Sequence, residues 1–238
     1  MNKSITLRIP KELSGITLRQ YQKYIKSVKY DTDKEPTKEE VDFANLKLLE
    51  CFCDVTLKEA YQLPLAQFSE IINHLGNIFQ EETPLERTFE MKDPKGNKVK
   101  FGFIPKLDDI SLGEFVDLDK YISDWQQMHK AMAVLYRPVT VEKRDLYLIE
   151  DYEGTEKYSD IMLDAPVSVA LGATVFFYHL GSELSKAMMD SLEKRLKEDS
   201  TLQQTLEQSG DGINRFTELL EETSRSLKKS QNFPYFNV

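Results

Sequence analysis

The strongest constraint on this chain is a short pattern that occurs three times. It appears as Ile16-Thr17-Leu18-Arg19-Gln20-Tyr21, as Val55-Thr56-Leu57-Lys58-Glu59-Ala60 and as Ile110-Ser111-Leu112-Gly113-Glu114-Phe115. Each copy sets Ser or Thr three residues ahead of Gln or Glu, which is a capping box. The hydroxyl accepts from an early helix N–H, and the Gln or Glu side chain reaches back to the cap's own N–H. The Ile or Val in front can staple onto the fifth residue after it, and Ile16 with Tyr21 or Ile110 with Phe115 suits that contact. A fourth box, Thr37-Lys38-Glu39-Glu40, follows Pro36. These boxes predict four helix starts. The first and third copies continue alike, into Lys23-Tyr24-Ile25 and Lys120-Tyr121-Ile122, but nothing further matches. They read as shared capping grammar rather than a duplicated unit.

Periodicity fills in the rest. A first helix runs from Leu18 to about Val28, followed by a polar loop up to Pro36. The next runs from Lys38 to about Cys53, with Val41, Ala44, Leu48, Leu49 and Phe52 near one face. A short helix covers Leu57 to Gln62. Pro64 suits the first turn of another, Leu65 to about Phe79, whose stripe is Leu65, Phe68, Ile71, Ile72, Leu75 and Phe79. The period then changes to two. Phe89 and Met91, then Val99, Phe101 and Phe103, alternate with polar residues around the turn Asp93-Pro94-Lys95-Gly96-Asn97. That predicts a hairpin with Phe89 facing Phe101, Met91 facing Val99 and a cross-strand pair of Glu90 with Lys100.

The third box opens a helix at Leu112, bent near Asp117–Asp119, that continues through Trp125, Met128, Met132 and Leu135 until Pro138 stops it. Val139–Val141 and Asp145–Tyr152 read as a second hairpin. Ala165-Pro166 begins a long helix reaching Glu198, apolar in its first half and amphipathic from Glu183 to Lys197. Its small residues Ala170, Gly172, Ala173 and Gly181 admit close approach of another helix. The expected fold is α+β and mainly helical: several capped helices, one or two β-hairpins and a long C-terminal helix. Residues 1–160 form a mixed body with hairpins near 87–103 and 139–152. Residues 161–198 form a long helix packed on that body. Residues 199–238 form a polar helical tail, partly mobile, that ends in the aromatic Asn232-Phe233-Pro234-Tyr235-Phe236.

The chemistry-bearing residues are sparse. Cys51 and Cys53 cannot build a disulfide framework or a four-ligand zinc site, and two apart on a helix they point to different faces. His74, His129 and His179 fall on three different helices with no ligand spacing between them. There is no nucleophile elbow and no glycine-rich phosphate loop. Lys100-Phe101-Gly102-Phe103-Ile104 echoes an RNA-recognition strand, but the surrounding elements are helix-rich and the body is acidic. Seven cations (Lys3, Arg8, Lys11, Arg19, Lys23, Lys26 and Lys29) against Glu12 alone give +6 over residues 1–30. That leaves −15 for the rest of a chain whose net charge is −9, which opposes phosphate binding. No secretory signal opens the chain, and its longest apolar stretch, Val167–Leu180, is shorter than the ~20 residues of a membrane span. No cofactor, metal, catalytic residue, nucleic-acid site or membrane segment is expected.

The opening Ile9-Pro10-Lys11-Glu12-Leu13-Ser14-Gly15-Ile16-Thr17-Leu18-Arg19-Gln20-Tyr21-Gln22-Lys23-Tyr24 resembles small virion-morphogenesis proteins of tailed bacteriophages. So do Leu112-Gly113-Glu114-Phe115-Val116-Asp117-Leu118-Asp119-Lys120-Tyr121 and Met132-Ala133-Val134-Leu135-Tyr136-Arg137-Pro138. The acidic, helical plan is similar to that of tail assembly chaperones. The resemblance covers about two thirds of the chain and implies a non-enzymatic protein that holds tape-measure or tail-tube subunits until assembly, in the host cytoplasm. The alternative is a permanent virion subunit, such as a connector, tail or baseplate component. Its partners would be other phage structural or assembly proteins, or further copies of itself. The partner-binding candidates are Tyr21, Arg137, Phe233, Tyr235 and Phe236. For Arg137 two roles stand open: a last-turn cation against the helix dipole, or an interface-organising guanidinium. The face Ala170–Gly181 and the stretch Leu184–Leu196 are further candidate surfaces, with internal packing as the alternative for the first.

Overall fold

A computed structural model describes residues 6–28, 36–144 and 146–180. All four capping boxes are closed. Thr17, Thr37, Thr56 and Ser111 each accept from the backbone N–H three residues on, and Gln20, Glu40, Glu59 and Glu114 each return a bond to the cap N–H. They open α1 (Leu18–Ser27), α2 (Lys38–Phe52), α3 (Leu57–Ala60) and α5 (Leu112–Tyr121). Between them lies α4 (Leu65–Phe79), with Pro64 at its N-cap.

The α1 start is also held from outside. The carbonyls of Ala165 and Leu163 accept from the N–H groups of Leu18 and Arg19, and Val167 N–H donates to Ile16 O. The Arg19 guanidinium adds a two-point bond to Asp164, at 2.8 and 3.2 Å. Amides that a helix N-terminus leaves unpaired are thereby satisfied by a distant segment. α1, α2 and α4 enclose an aromatic cluster: Tyr21 lies 6.0 Å from Phe79 and 5.1 Å edge-on from Trp125, and Phe52 touches both Tyr24 and Phe79. Tyr21, Tyr24 and Phe52 are buried there, and burying a Phe-sized ring is worth about 1.5–3 kcal/mol in area alone. In α2 the expected face is partly corrected. Ala44, Leu48, Leu49 and Phe52 are buried, but Val41 is exposed, because the helix sinks only from Ala44 onward. The α4 stripe is likewise buried at Ile71, Ile72 and Leu75, half-buried at Phe68 and Phe79 and exposed at Leu65, and Ile78 beside it is buried as well.

β1 (Thr88–Lys92) and β2 (Lys98–Phe103) pair in the expected register, Phe89 opposite Phe101 and Met91 opposite Val99. Asp93 organises the turn by accepting from the N–H groups of Lys95 and Asn97, and Gly96 takes the positive φ of 86° that the turn requires. Glu90 stands opposite Lys100 as expected, but their ion pair is not the one made. Lys100 bonds Glu142 at 2.5 Å, and Glu90 lies 3.7 Å from Lys98 instead. The reason is a third strand.

α6 (Met128–Leu135) runs straight into β3 (Tyr136–Lys143), which pairs with β2 on one side and with β4 (Leu146–Ile149) on the other. The two hairpins are thus one antiparallel sheet ordered β1-β2-β3-β4. Pro138 lies inside β3 rather than after a helix; its carbonyl still serves the sheet by accepting from Glu150 N–H. α5 is continuous through Asp117–Asp119, and the break comes later, at a 3-10 turn over Trp125–Gln127.

The sheet has two unlike faces. One carries Phe89, Phe101, Phe103 and Tyr136, whose rings meet at 5.3 to 5.7 Å. The other carries Gly102 opposite Arg137. α7 (Ser159–Met162) is followed by a helix over residues 167–180. In it Val167, Val169, Ala170, Leu171 and Ala173 are buried, so the first part of the small-residue face is internal packing. A Cβ on Gly172 would collide with the Pro84 carbonyl, so the close approach is made by loop backbone, not by another helix. One compact unit takes in the chain up to Ala173. Residues 174–180, assigned to a second unit, are helical, and the Phe176 and Phe177 rings meet edge-on at 5.4 Å. The expectations for residues 181–238, including the second half of the long helix and the polar tail, lie outside the described residues. Among the described residues no helix is long and apolar enough to cross a membrane.

Candidate functional site

α5 buries the charged Glu114 beside Leu118 and Tyr121, and leaves Leu112, Phe115 and Val116 outside. Glu114, at the third position of its helix, is buried against β3. One carboxylate oxygen accepts from Ser111 N–H at 2.7 Å to close the cap. The other accepts from Arg137 Nη1 at 2.5 Å, and both side chains are more than nine-tenths buried. Burial by itself would push the Glu114 carboxyl up, but the Ser111 bonds and Arg137 outweigh it and hold the carboxyl below its ordinary value. The Arg137 guanidinium also sits over the Tyr152 ring, 5.4 Å from its centre. The Tyr152 hydroxyl in turn donates to Asp117 at 2.5 Å, one turn along α5. Its phenol is pushed up by burial and by the neighbouring Asp117.

Glycine makes room for this arrangement. Tyr147 of β4 lies flat against Gly102, with ring carbons 2.6 and 2.9 Å from where a Cβ would stand. Its hydroxyl is 2.8 Å from Phe103 O and 3.0 Å from Arg87 O. The loop after β4 is fastened through Glu150, which accepts from Lys157 and from the Tyr158 hydroxyl; both bonds hold its carboxyl low.

The opposite side of α5 is open. Leu112, Phe115 and Val116 are 79%, 58% and 53% exposed. Positions i, i+3 and i+4 share one helix face, so these three form a stripe. Exposed Asp109 and Asp119 stand at its two ends, while Lys120 lies against the Tyr121 ring. A carboxylate turned inward and an apolar stripe facing water depart from the usual plan of a surface helix. The staple expected between Ile110 and Phe115 does not hide the ring.

The sequence-named residues scatter. Tyr21 is 2% exposed and part of the aromatic cluster, so it offers no surface; burial pushes its phenol up. Arg137 is neither a dipole partner nor an exposed interface group, because the strand begins at Tyr136 and the guanidinium is buried against Glu114. Phe233, Tyr235 and Phe236 lie outside the described residues. Cys51 and Cys53 are buried thiols pushed up to about 11 by that burial, and so poor nucleophiles. His74 bonds the Pro10 carbonyl, and His129, lowered by burial, meets the Gln22 amide. Among the described residues no three metal-ligating side chains converge.

Sequence reasoning gave Glu114 only its capping role and missed Tyr147 and Tyr152. The available signal was small: a cap needs one carboxylate oxygen, and the second was unassigned. No family model, curated protein or solved structure matches this chain.

Proposed function

We propose that this chain is a non-enzymatic tail-assembly protein of a tailed bacteriophage, a chaperone for tape-measure or tail-tube subunits. One observation carries the reading: α5 is pinned from below by a buried ion pair and presents Leu112, Phe115 and Val116 to solvent. A client helix needs an apolar counter-face to lie on, and rigid support lowers the ordering cost of binding it. Asp109 and Asp119 bracket the stripe and favour a client helix whose apolar face is flanked by Lys or Arg. The acidic remainder of the chain keeps such an exposed stripe soluble through charge repulsion. The bacteriophage resemblance supplies the client class.

The test has two arms. Co-expression with the tape-measure and tail-tube proteins of the same genome should keep one of them soluble, and Leu112→Glu with Phe115→Glu should abolish that effect without unfolding the chain. Quantitative mass spectrometry should find the protein in the producing-cell lysate and not in purified particles. A fixed copy number per particle would make it a virion subunit and overturn the chaperone reading.

A further inference from the structure

His74 and His129 both use a ring nitrogen in a hydrogen bond, and a second ring proton acts differently on each. His74 Nε2 lies 2.9 Å from the Pro10 carbonyl. A carbonyl oxygen only accepts, so that nitrogen donates, and protonating the ring leaves the bond intact. His129 stands the other way round. Its Nδ1 lies 3.2 Å from Gln22 Nε2, and the same Nε2 donates to the Trp125 carbonyl at 2.8 Å. That carbonyl settles which end of the amide is which, because an amide oxygen there would face a second acceptor. Gln22 therefore gives one N–H to Trp125 and aims the other at His129. An amide nitrogen accepts nothing, so His129 Nδ1 is the acceptor and the ring is neutral, with its proton on Nε2. Gln22 is only 7% exposed, so water does not readily replace a lost partner. Its own carbonyl accepts from Gln126 Nε2 at 3.1 Å. These bonds and the Tyr21–Trp125 ring contact fasten the 3-10 turn Trp125–Gln127, the joint between α5 and α6, to α1.

We propose that His129 is an acid-sensitive latch: neutral, it accepts from Gln22 and holds the turn on α1, and protonated, it sets an N–H against the Gln22 amide and lets the turn go. Gln22 cannot adapt by turning its amide over. The oxygen would then suit the protonated ring but would face the Trp125 carbonyl, and the bond to the turn would be lost. Burial opposes the second proton first of all. Three charged side chains add to this: Lys130 of α6 and Arg19 of α1 oppose the proton, and Asp160 of α7 favours it. The balance holds the imidazole below its ordinary value of 6.5. The latch is therefore complete above that value and is lost as pH falls through the lowered folded value. Release is confined to the turn. α1 stays seated through the Leu163 and Ala165 carbonyls and Asp164, and α5 through Glu114 on Arg137.

Nitrogen NMR of the full chain tests the starting state. At neutral pH His129, assigned by its absence from His129→Asn, should carry its proton on Nε2. Acid is then followed at Trp125, the chain's one tryptophan. Between about pH 8 and about pH 4, acrylamide quenching of its fluorescence should roughly double, as a local opening exposes the ring. The rise should be a single-proton step with its midpoint below 6.5, and circular dichroism should show the helices kept. His129→Asn sets an amide oxygen near the place of Nδ1 and does not titrate, so the step should vanish while quenching stays at its neutral-pH level. His74→Asn should leave the step unchanged, because protonation breaks no bond there. A neutral His129 ring with its proton on Nδ1, or quenching that is flat across the range, would overturn the proposal. So would a step that survives His129→Asn.

Discussion

α1 and α5 begin with nearly the same sequence and end in opposite environments. Ile16-Thr17-Leu18-Arg19-Gln20-Tyr21 and Ile110-Ser111-Leu112-Gly113-Glu114-Phe115 close the same capping box. Yet Leu18 and Tyr21 are 0% and 2% exposed, while their equivalents Leu112 and Phe115 are 79% and 58% exposed. α1 buries Leu18, Tyr21, Gln22 and Tyr24; α5 buries Glu114, Leu118 and Tyr121. The buried arcs are turned from one another by roughly a third of a turn. A capping box decides where a helix starts because its bonds are local. It does not decide which face is covered, because that depends on what the rest of the fold brings alongside. For α1 the neighbours are Phe79 and Trp125, and for α5 the neighbour is Arg137.

The largest effects should separate the two helices by mechanism. Tyr21→Ala removes a buried ring from a packed cluster and should cost about 3–5 kcal/mol in urea unfolding. Arg137→Met should cost a similar amount for a different reason, as it strands the Glu114 carboxylate in the interior. Adding Glu114→Leu to Arg137→Met should recover most of that loss, since replacing both partners removes the uncompensated charge. No second substitution near Tyr21 should do the same. If the double variant is no more stable than Arg137→Met alone, the inner face of α5 is held by something other than this pair.

Acid should weaken α5 before α1. The folded-state carboxyl of Glu114 lies below its ordinary value of 4.5, so the stability it contributes is complete above that value. It is lost as pH falls through the lowered folded value, because the unfolded chain then takes up the proton more readily. α1 has Gln20 in the same position, which does not titrate. Hydrogen exchange between neutral pH and about pH 3 should therefore show α5 amides losing protection ahead of those of α1. With Glu114→Gln, that difference in order should disappear.

The sequence made the helix starts and the first hairpin register legible, and it did so for a common reason. Thr17 with Gln20, or Phe89 with Phe101, are contacts whose partners lie within a dozen or so residues and whose geometry is set by period and turn. The join of the two hairpins was not legible. It rests on Gly102 facing Arg137, on a buried helix passing directly into a strand at Tyr136, and on a proline tolerated inside that strand. Pro138 read as a stop because a helix cannot continue through it, but the helix had already ended. The Glu114–Arg137 bond spans 23 residues and joins α5 to β3, a contact that no local pattern encodes. Tyr21 suits partner binding in the sequence because an aromatic residue at a staple position looks the same whether the ring is covered or bare.

The caps themselves should behave alike. Thr17→Ala and Ser111→Ala each remove one acceptor from a helix N-terminus, and each should cost about 1 kcal/mol. Near-equal values would keep the shared capping grammar separate from the unlike faces. A much larger value for Ser111→Ala would mean that the hydroxyl also orients Glu114 toward Arg137, and the double variant with Arg137→Met would then be less than additive.

The smallest effect on stability is expected at Phe115, and there the comparison with Tyr21 is most direct. Phe115→Ala takes a ring from water-facing surface, so unfolding should shift by no more than about 0.5 kcal/mol. Tyr21→Ala, at the equivalent place in the pattern, should shift it several-fold more. If α5 is the client face, the order reverses in a binding measurement. Phe115→Ala should leave the melting curve unchanged and weaken retention of a tape-measure or tail-tube segment. A conservative Tyr21→Phe should leave retention unchanged. Were Phe115→Ala to destabilise the isolated chain as Tyr21→Ala does, the ring would be packed in solution, and the exposed stripe could not be a binding face.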